Sequence, residues 1–222
     1  MPSQNKSIKQ SAQRHLFWVV VVITLVLWLL YRSLFNFPVA FDETIGKALF
    51  LGLPIWMYVS IAGDSSLADT PNFSLTKSGL VKGILFGGVF SFAAVIMSLA
   101  VFKDTVWAVD LFSSSKFWGE FILAIMTAFW ESVFFFGFIQ LILKKKFPEL
   151  DLVKRVVVAA GIFLLFHIPN SVMRFQGIQV AQQIWLMALF GLGQALLFEE
   201  EGSIYTLILT HTFWGMTLLI HF

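Results

Sequence analysis

Residues 128–140 read AFWESVFFFGFIQ, with one carboxylate, Glu131, set among aromatic and aliphatic side chains. Nothing within the run can pair with it, and an unpaired charge at a helix centre in a bilayer costs at least ~2.5 kcal/mol. Two questions follow: whether this segment crosses a membrane, and what elsewhere in the chain justifies its carboxylate.

Composition answers the first. Of 222 residues, 58% are apolar, 17% aromatic and only 13% charged, too little polar surface to cover a soluble globule of this size. Several apolar runs reach the ~20 residues that a helix needs to cross a ~30 Å hydrocarbon core. The expectation is an all-α polytopic transmembrane bundle of about seven spans, six to eight. They are placed at 16–35, 45–63, 79–102, 118–143, 156–169, 179–198 and 203–221. The fifth is short because Pro169 in HIPN removes a backbone donor and disfavours helical geometry at Ile168, so the helix is expected to end or bend there.

No long repeat, low-complexity tract or linker divides the chain. The expected organisation is a basic tail, 1–15, followed by a single transmembrane domain, 16–222. The segment 64–78 is the most loop-like stretch. The basic start followed by an apolar run resembles a signal peptide, but no small-x-small cleavage site follows, so the run is read as the first span. With the N-terminus inside, the cytoplasmic face collects Lys6, Lys9, Arg14, Lys77, Lys82, Lys144, Lys145, Lys146, Lys154 and Arg155. The other face collects Arg32, Lys47, Lys103, Lys116 and Arg174. The expected location is therefore an integral membrane position, N-terminus cytoplasmic, in a prokaryotic plasma membrane. The lysine run at 144–146 is an interfacial anchor that can also meet anionic headgroups.

A net charge of +2 gives no sign of a nucleic-acid surface, and the absence of cysteine removes disulfides, thiolate catalysis and cysteine-bound metals. Chemistry must come from oxygen and nitrogen groups. Among ionisable residues within the spans three matter: Glu131, His167 and His211. Counting ~1.5 Å of rise per residue from the charged residues at the helix ends puts them about 20, 18 and 15 Å deep, at similar levels on three helices. Ala124, Thr127 and Ala128 share nearly the same helical face as Glu131, so a cavity is expected above the carboxylate. Such a trio can be a hydrogen-bonded network that only fixes the bundle, a hydrolytic centre, a three-ligand site for a divalent metal such as zinc, or a proton relay in a carrier. The lack of evident repeats weakens the carrier reading.

The strings around these residues resemble the CPBP family, intramembrane proteases related to CAAX prenyl endopeptidases and bacteriocin-processing proteins. ESVFFFG at 131–137 is similar to the family's EExxxR motif, FLLFH at 163–167 matches FxxxH, and HTFWG at 211–215 matches HxxxN in its histidine. The similarity covers 118–220. It implies an endopeptidase cutting a membrane-associated peptide or protein, lipidated or not, by Glu-activated water. Glu131 would be the general base, His167 would hold the water and His211 would stabilise the oxyanion, with no metal favoured. Phe163 comes with the second motif. Three positions depart: Ser132 replaces a Glu, Phe136 an Arg and Gly215 an Asn. The first two sit at i,i+4, so their joint loss removes an ion pair without stranding either charge. Gly215 removes a donor, typically worth ~100- to 1000-fold in rate. Asn170 is then either its replacement or a cap for the broken fifth helix. The alternative function is a catalytically impaired relative acting as a membrane-embedded binding, regulatory or bacteriocin-immunity protein.

Overall fold

A computed structural model of the chain describes residues 2–63, 76–102 and 115–221, with side-chain environments over 9–63, 76–96 and 117–216. Most of the loop expected at 64–78 lies outside the described residues. The rest is helical, without strands among the described residues. The helices are α1 (Pro2–Leu34), α2 (Val39–Ala62), α3 (Lys77–Phe102), α4 (Phe117–Lys146, led by two residues from Ser115), α5 (Leu152–Arg174), α6 (Ile178–Glu201) and α7 (Ile204–His221). Stretches of α1 to α6 are long and apolar enough to cross a membrane. The protein is an all-α integral membrane protein. α7 packs chiefly against α3 and α4, with α6 also alongside, so the last helix is an internal member of the bundle.

The residues facing lipid and those facing the core separate as an apolar solvent requires. Val19, Val22, Ile23, Leu85, Val89, Phe92 and Ile122 are exposed on the bundle surface, whereas Phe134, Phe136, Phe163, Phe190 and Trp214 are almost fully buried. With no hydrophobic drive between helices inside lipid, interior packing and interhelical hydrogen bonds must hold the bundle. Aromatic rings supply much of that packing: Phe135 stands edge-on to Phe163, and Phe190 stacks on Trp214 with centroids 5.0 Å apart.

One expectation about a single helix is corrected, the ending of the fifth span at Pro169. α5 does not end at Pro169 but runs on to Arg174. α1 grips it on both sides of the proline: Trp28 Nε1 donates to Phe166 O at 3.1 Å, and Arg32 Nε donates to Asn170 Oδ1 at 2.8 Å. Both bonds hold α5 against α1 beside the proline. α1 in turn is helical from Pro2, through the segment expected to be a basic tail.

The backbone is not uniformly α-helical. In α4 the nine residues Ser132–Gln140 form a π-helical segment directly after Glu131, and in α2 two π segments, Asp42–Gly46 and Ala48–Gly52, flank Lys47. Such wide turns are rare and concentrate at functional positions.

At the end carrying Lys144, charges are interlocked. Glu199 receives Lys144, Arg155 and Gln140, Lys82 reaches both Glu200 and Glu201, and Arg14 grips Glu149 with both terminal nitrogens at 3.0 Å.

Candidate active site

Glu131 closes the first α-helical part of α4 and is 5% exposed. Its two oxygens have different company. Oε2 faces the histidines, with His167 Nε2 from α5 at 3.1 Å and His211 Nε2 from α7 at 3.5 Å. Oε1 is 2.5 Å from the ammonium of Lys47, which arrives from α2 and also contacts Glu43. Thr127 Oγ1, one turn before Glu131, donates to the far carboxylate, Glu43. Three residues far apart in sequence, singled out as ionisable groups at similar depth, therefore meet.

Lys47 was missed, and its placement overturns an expectation. Counted in sequence as a loop charge on the outer face, it is 5% exposed inside the bundle. The one local signal was the i,i+4 spacing of Glu43 and Lys47. Its effect is electrostatic: an ammonium on one oxygen compensates a carboxylate that would otherwise be buried as a lone charge.

The aromatic belt orients the imidazoles. Phe163 stacks on His167 at a centroid distance of 4.1 Å, and Phe190 stands edge-on to His211 at 4.9 Å. Phe163 acts through its backbone as well, since His167 Nδ1 lies 2.8 Å from Phe163 O. A carbonyl oxygen only accepts, so Nδ1 carries the hydrogen and donates it. The contact between His167 Nε2 and Glu131 Oε2 then holds one further proton shared by imidazole and carboxylate. His211 Nδ1 has no hydrogen-bond partner among the described residues.

The remaining candidates divide. Ser132 is fully buried and its Oγ makes no hydrogen bond among the described residues; Phe136 is equally buried and packs against Phe163. Neither carries a charge in need of compensation, as the paired loss implied. Gly215 stands opposite Ala124 of α4, where a Cβ would lie 3.6 Å from the alanine Cβ. Asn170 does not cap a helix end: it lies inside α5, with Oδ1 held by Arg32.

The cavity is not where the small residues of α4 placed it. Ala124 and Ala128 are buried at 1% and 0% exposure, and Thr127 is committed to Glu43. A small cavity of about 10 Å³, close to the room one water needs, instead borders the carboxylate, lined by Trp28, Leu51, Glu131, Phe135, Phe166, His167 and Asn170. Four of these seven, Trp28, Leu51, Phe135 and Phe166, are apolar or aromatic, and three, Glu131, His167 and Asn170, are polar.

Glu131 Oε1 already holds the Lys47 ammonium, and among the described residues no three His, Asp or Glu side chains are arranged to hold a metal ion.

Comparison with known proteins places these residues in a family context. No curated protein and no solved structure matches the chain. Residues 113–217, which bear Glu131, His167 and His211 and nearly all of α4 to α7, match the family described as type II CAAX prenyl endopeptidase Rce1-like.

Proposed function

We propose that this protein is an intramembrane endopeptidase that hydrolyses a peptide bond in a membrane-associated protein or peptide, using water activated by Glu131. The observation that carries this reading is the convergence of His167 Nε2 and His211 Nε2 on Glu131 Oε2 beside a small cavity. Glu131 takes a proton from water, and the hydroxide attacks the scissile carbonyl carbon. His211 offers a hydrogen bond to the oxygen that becomes negative, where preorganised donors are worth most. The proton held between Glu131 and His167 passes to the amine as the C–N bond breaks, returning the pair to its starting state. Lys47 keeps the carboxylate compensated and stays out of the proton path. No metal enters this scheme. A cytoplasmic N-terminus and a prokaryotic plasma membrane complete the reading, supported by the gathering of lysines and arginines at one end.

A second reading, a catalytically impaired binding, regulatory or immunity protein, is favoured by two observations: Glu131 Oε1 is tied at 2.5 Å to Lys47, and Gly215 offers no side-chain donor. One experiment separates them. Purified protein in detergent is incubated with an internally quenched peptide library, with and without a prenylated cysteine, beside Glu131→Gln. Cleavage by the parent and none by the variant is the expected result. Equal signals from the two proteins would overturn the protease reading.

A further inference from the structure

The scheme above leaves the developing oxyanion with one side-chain donor, because position 215 is glycine. The cavity holds another. Asn170 borders it together with Glu131 and His167, and as the residue three after His167 it projects from nearly the same face of α5. Its amide orientation is fixed by chemistry as well as by placement. Arg32 Nε contacts Asn170 Oδ1 at 2.8 Å. A guanidinium only donates, so the group facing Arg32 must be the oxygen and the two N–H donors of Nδ2 must point elsewhere.

Arg32 is itself held. Its Nη1 donates to Asp42 Oδ2 at 2.5 Å, Tyr31 donates its hydroxyl hydrogen to Asp42 Oδ1, and the guanidinium lies over the Trp28 ring at 5.8 Å. Asp42 is 7% exposed and Tyr31 also 7%. Gly46 leaves room for this cluster, since a Cβ there would come within 3.1 Å of the Tyr31 hydroxyl. A buried chain of three side chains from α1 and α2 therefore terminates on the oxygen of one cavity amide. Holding the helices together would not require that the last link be an asparagine at the cavity wall.

We propose that Asn170 is a catalytic residue whose Nδ2 hydrogen-bonds the scissile carbonyl oxygen, in place of the donor absent at Gly215, and that Arg32 is a positioning residue that fixes this amide with its oxygen turned away. The proposal rests on the protease reading. It assigns a function to α1, outside the segment that matches the Rce1-like family.

Asn170→Asp is the decisive variant, because it keeps an oxygen for Arg32 and nearly the same shape but removes both N–H donors. With the quenched peptides that the parent cleaves, kcat is expected to fall ~100- to 1000-fold, as for loss of one oxyanion donor, with KM changed less than threefold. Asn170→Ala should match it. Arg32→Met should lower kcat at least tenfold in the parent yet have no further effect on an Asn170→Ala background, and Arg32→Lys should restore part of the loss. A purely structural arginine would act equally in both backgrounds. Thermal unfolding in detergent identifies variants that fail to fold, and Asn170→Asp, which keeps the Arg32 contact, carries the test if Arg32→Met is one of them. Parent-like kcat for Asn170→Asp, or additive losses in the double variant, would overturn this proposal and leave the protease reading standing. Equal cleavage by the parent and Glu131→Gln would overturn both.

Discussion

The ammonium of Lys47 lies between two carboxylates, Glu43 and Glu131, and the three side chains are 6%, 17% and 6% exposed. Two carboxylates thus share one ammonium in a place where water screens them little, and the proton between Glu131 and His167 offsets part of the charge on Glu131. Removing the cation leaves two buried carboxylates facing each other, so Lys47→Met should cost about 3–5 kcal/mol, the usual penalty for breaking a buried pair from one side. Removing one anion has the opposite logic. Glu131→Gln leaves a one-to-one pair of Lys47 with Glu43 and keeps an amide in the carboxylate's place. This variant is expected to match or exceed the parent in an unfolding titration in mixed micelles while losing all cleavage. A Glu131→Gln protein less stable than Lys47→Met would mean that the carboxylate, not the ammonium, is the structural member of the pair.

At the scale of single helices, sequence and structure agree where one physical signal dominates and part where two compete. Apolar length alone located α1, α3, α4, α6 and α7 to within a few residues, apart from the helical extension of α1 through the basic tail, because burying or lipidating a hydrophobic run needs no partner information. α2 begins at Val39, six residues earlier than expected, since Asp42, Glu43 and Lys47 make its first half look like a loop. Those charges are neutralised by Arg32 and Glu131, on other helices, which no local pattern could reveal. The same holds for Pro169, where the helix runs on to Arg174 and α1 donors contact it on both sides of the proline. The motif histidines and Glu131 were legible because each is an anomaly in its own span; the cavity was not, because its walls come from four helices.

Glycines give a sharper test of helix packing. On α3, a Cβ at Gly87 would lie 2.9 Å from Phe213 Cβ and 3.1 Å from Thr210 O of α7. Gly87→Val should therefore push the two helices apart and cost several kcal/mol, within the range for overpacking or above it. Gly215 has only ordinary contact with Ala124 at 3.6 Å, so Gly215→Ala should be neutral or stabilising by up to about 1 kcal/mol from helix propensity. Steric-trap or denaturant unfolding of the two variants in detergent checks both signs. At the start of α5, Asp151 accepts a hydrogen bond from Lys154 N at 2.8 Å, and that backbone contact, with the Lys154 side chain, holds its carboxyl below the usual carboxylate range. A depressed folded value means that the stabilisation is present above the unfolded value and is lost as pH falls through the folded one. Asp151→Ala should accordingly lower the melting temperature at neutral pH and leave it unchanged at a pH acidic enough to protonate the parent.

Across the whole molecule, charge is sorted to two ends and one interior site. Glu199, Glu200 and Glu201 at the end of α6 collect Lys144 of α4, Arg155 of α5 and Lys82 of α3, while Arg14 of α1 is tied to Glu149 and to Lys146 O. Five helices are joined at this end, so it acts as the rigid base from which α4, α5 and α7 carry Glu131, His167 and His211 to one level. With Lys47 moved from the outer face into the interior, the excess of cations at the Lys144 end grows, and the positive-inside bias strengthens. The expected orientation places Lys154 in the cytoplasm and Arg174, at the far end of α5, outside. The chain contains no cysteine, so single substitutions report position without a background. In intact cells, Arg174→Cys should react with a membrane-impermeant maleimide and Lys154→Cys, 62% exposed in its native form, only after permeabilisation. The reverse pattern would invert the bundle and turn the Arg32 and Asn170 side of the cavity toward the cytoplasm, which would change the compartment from which a substrate reaches Glu131.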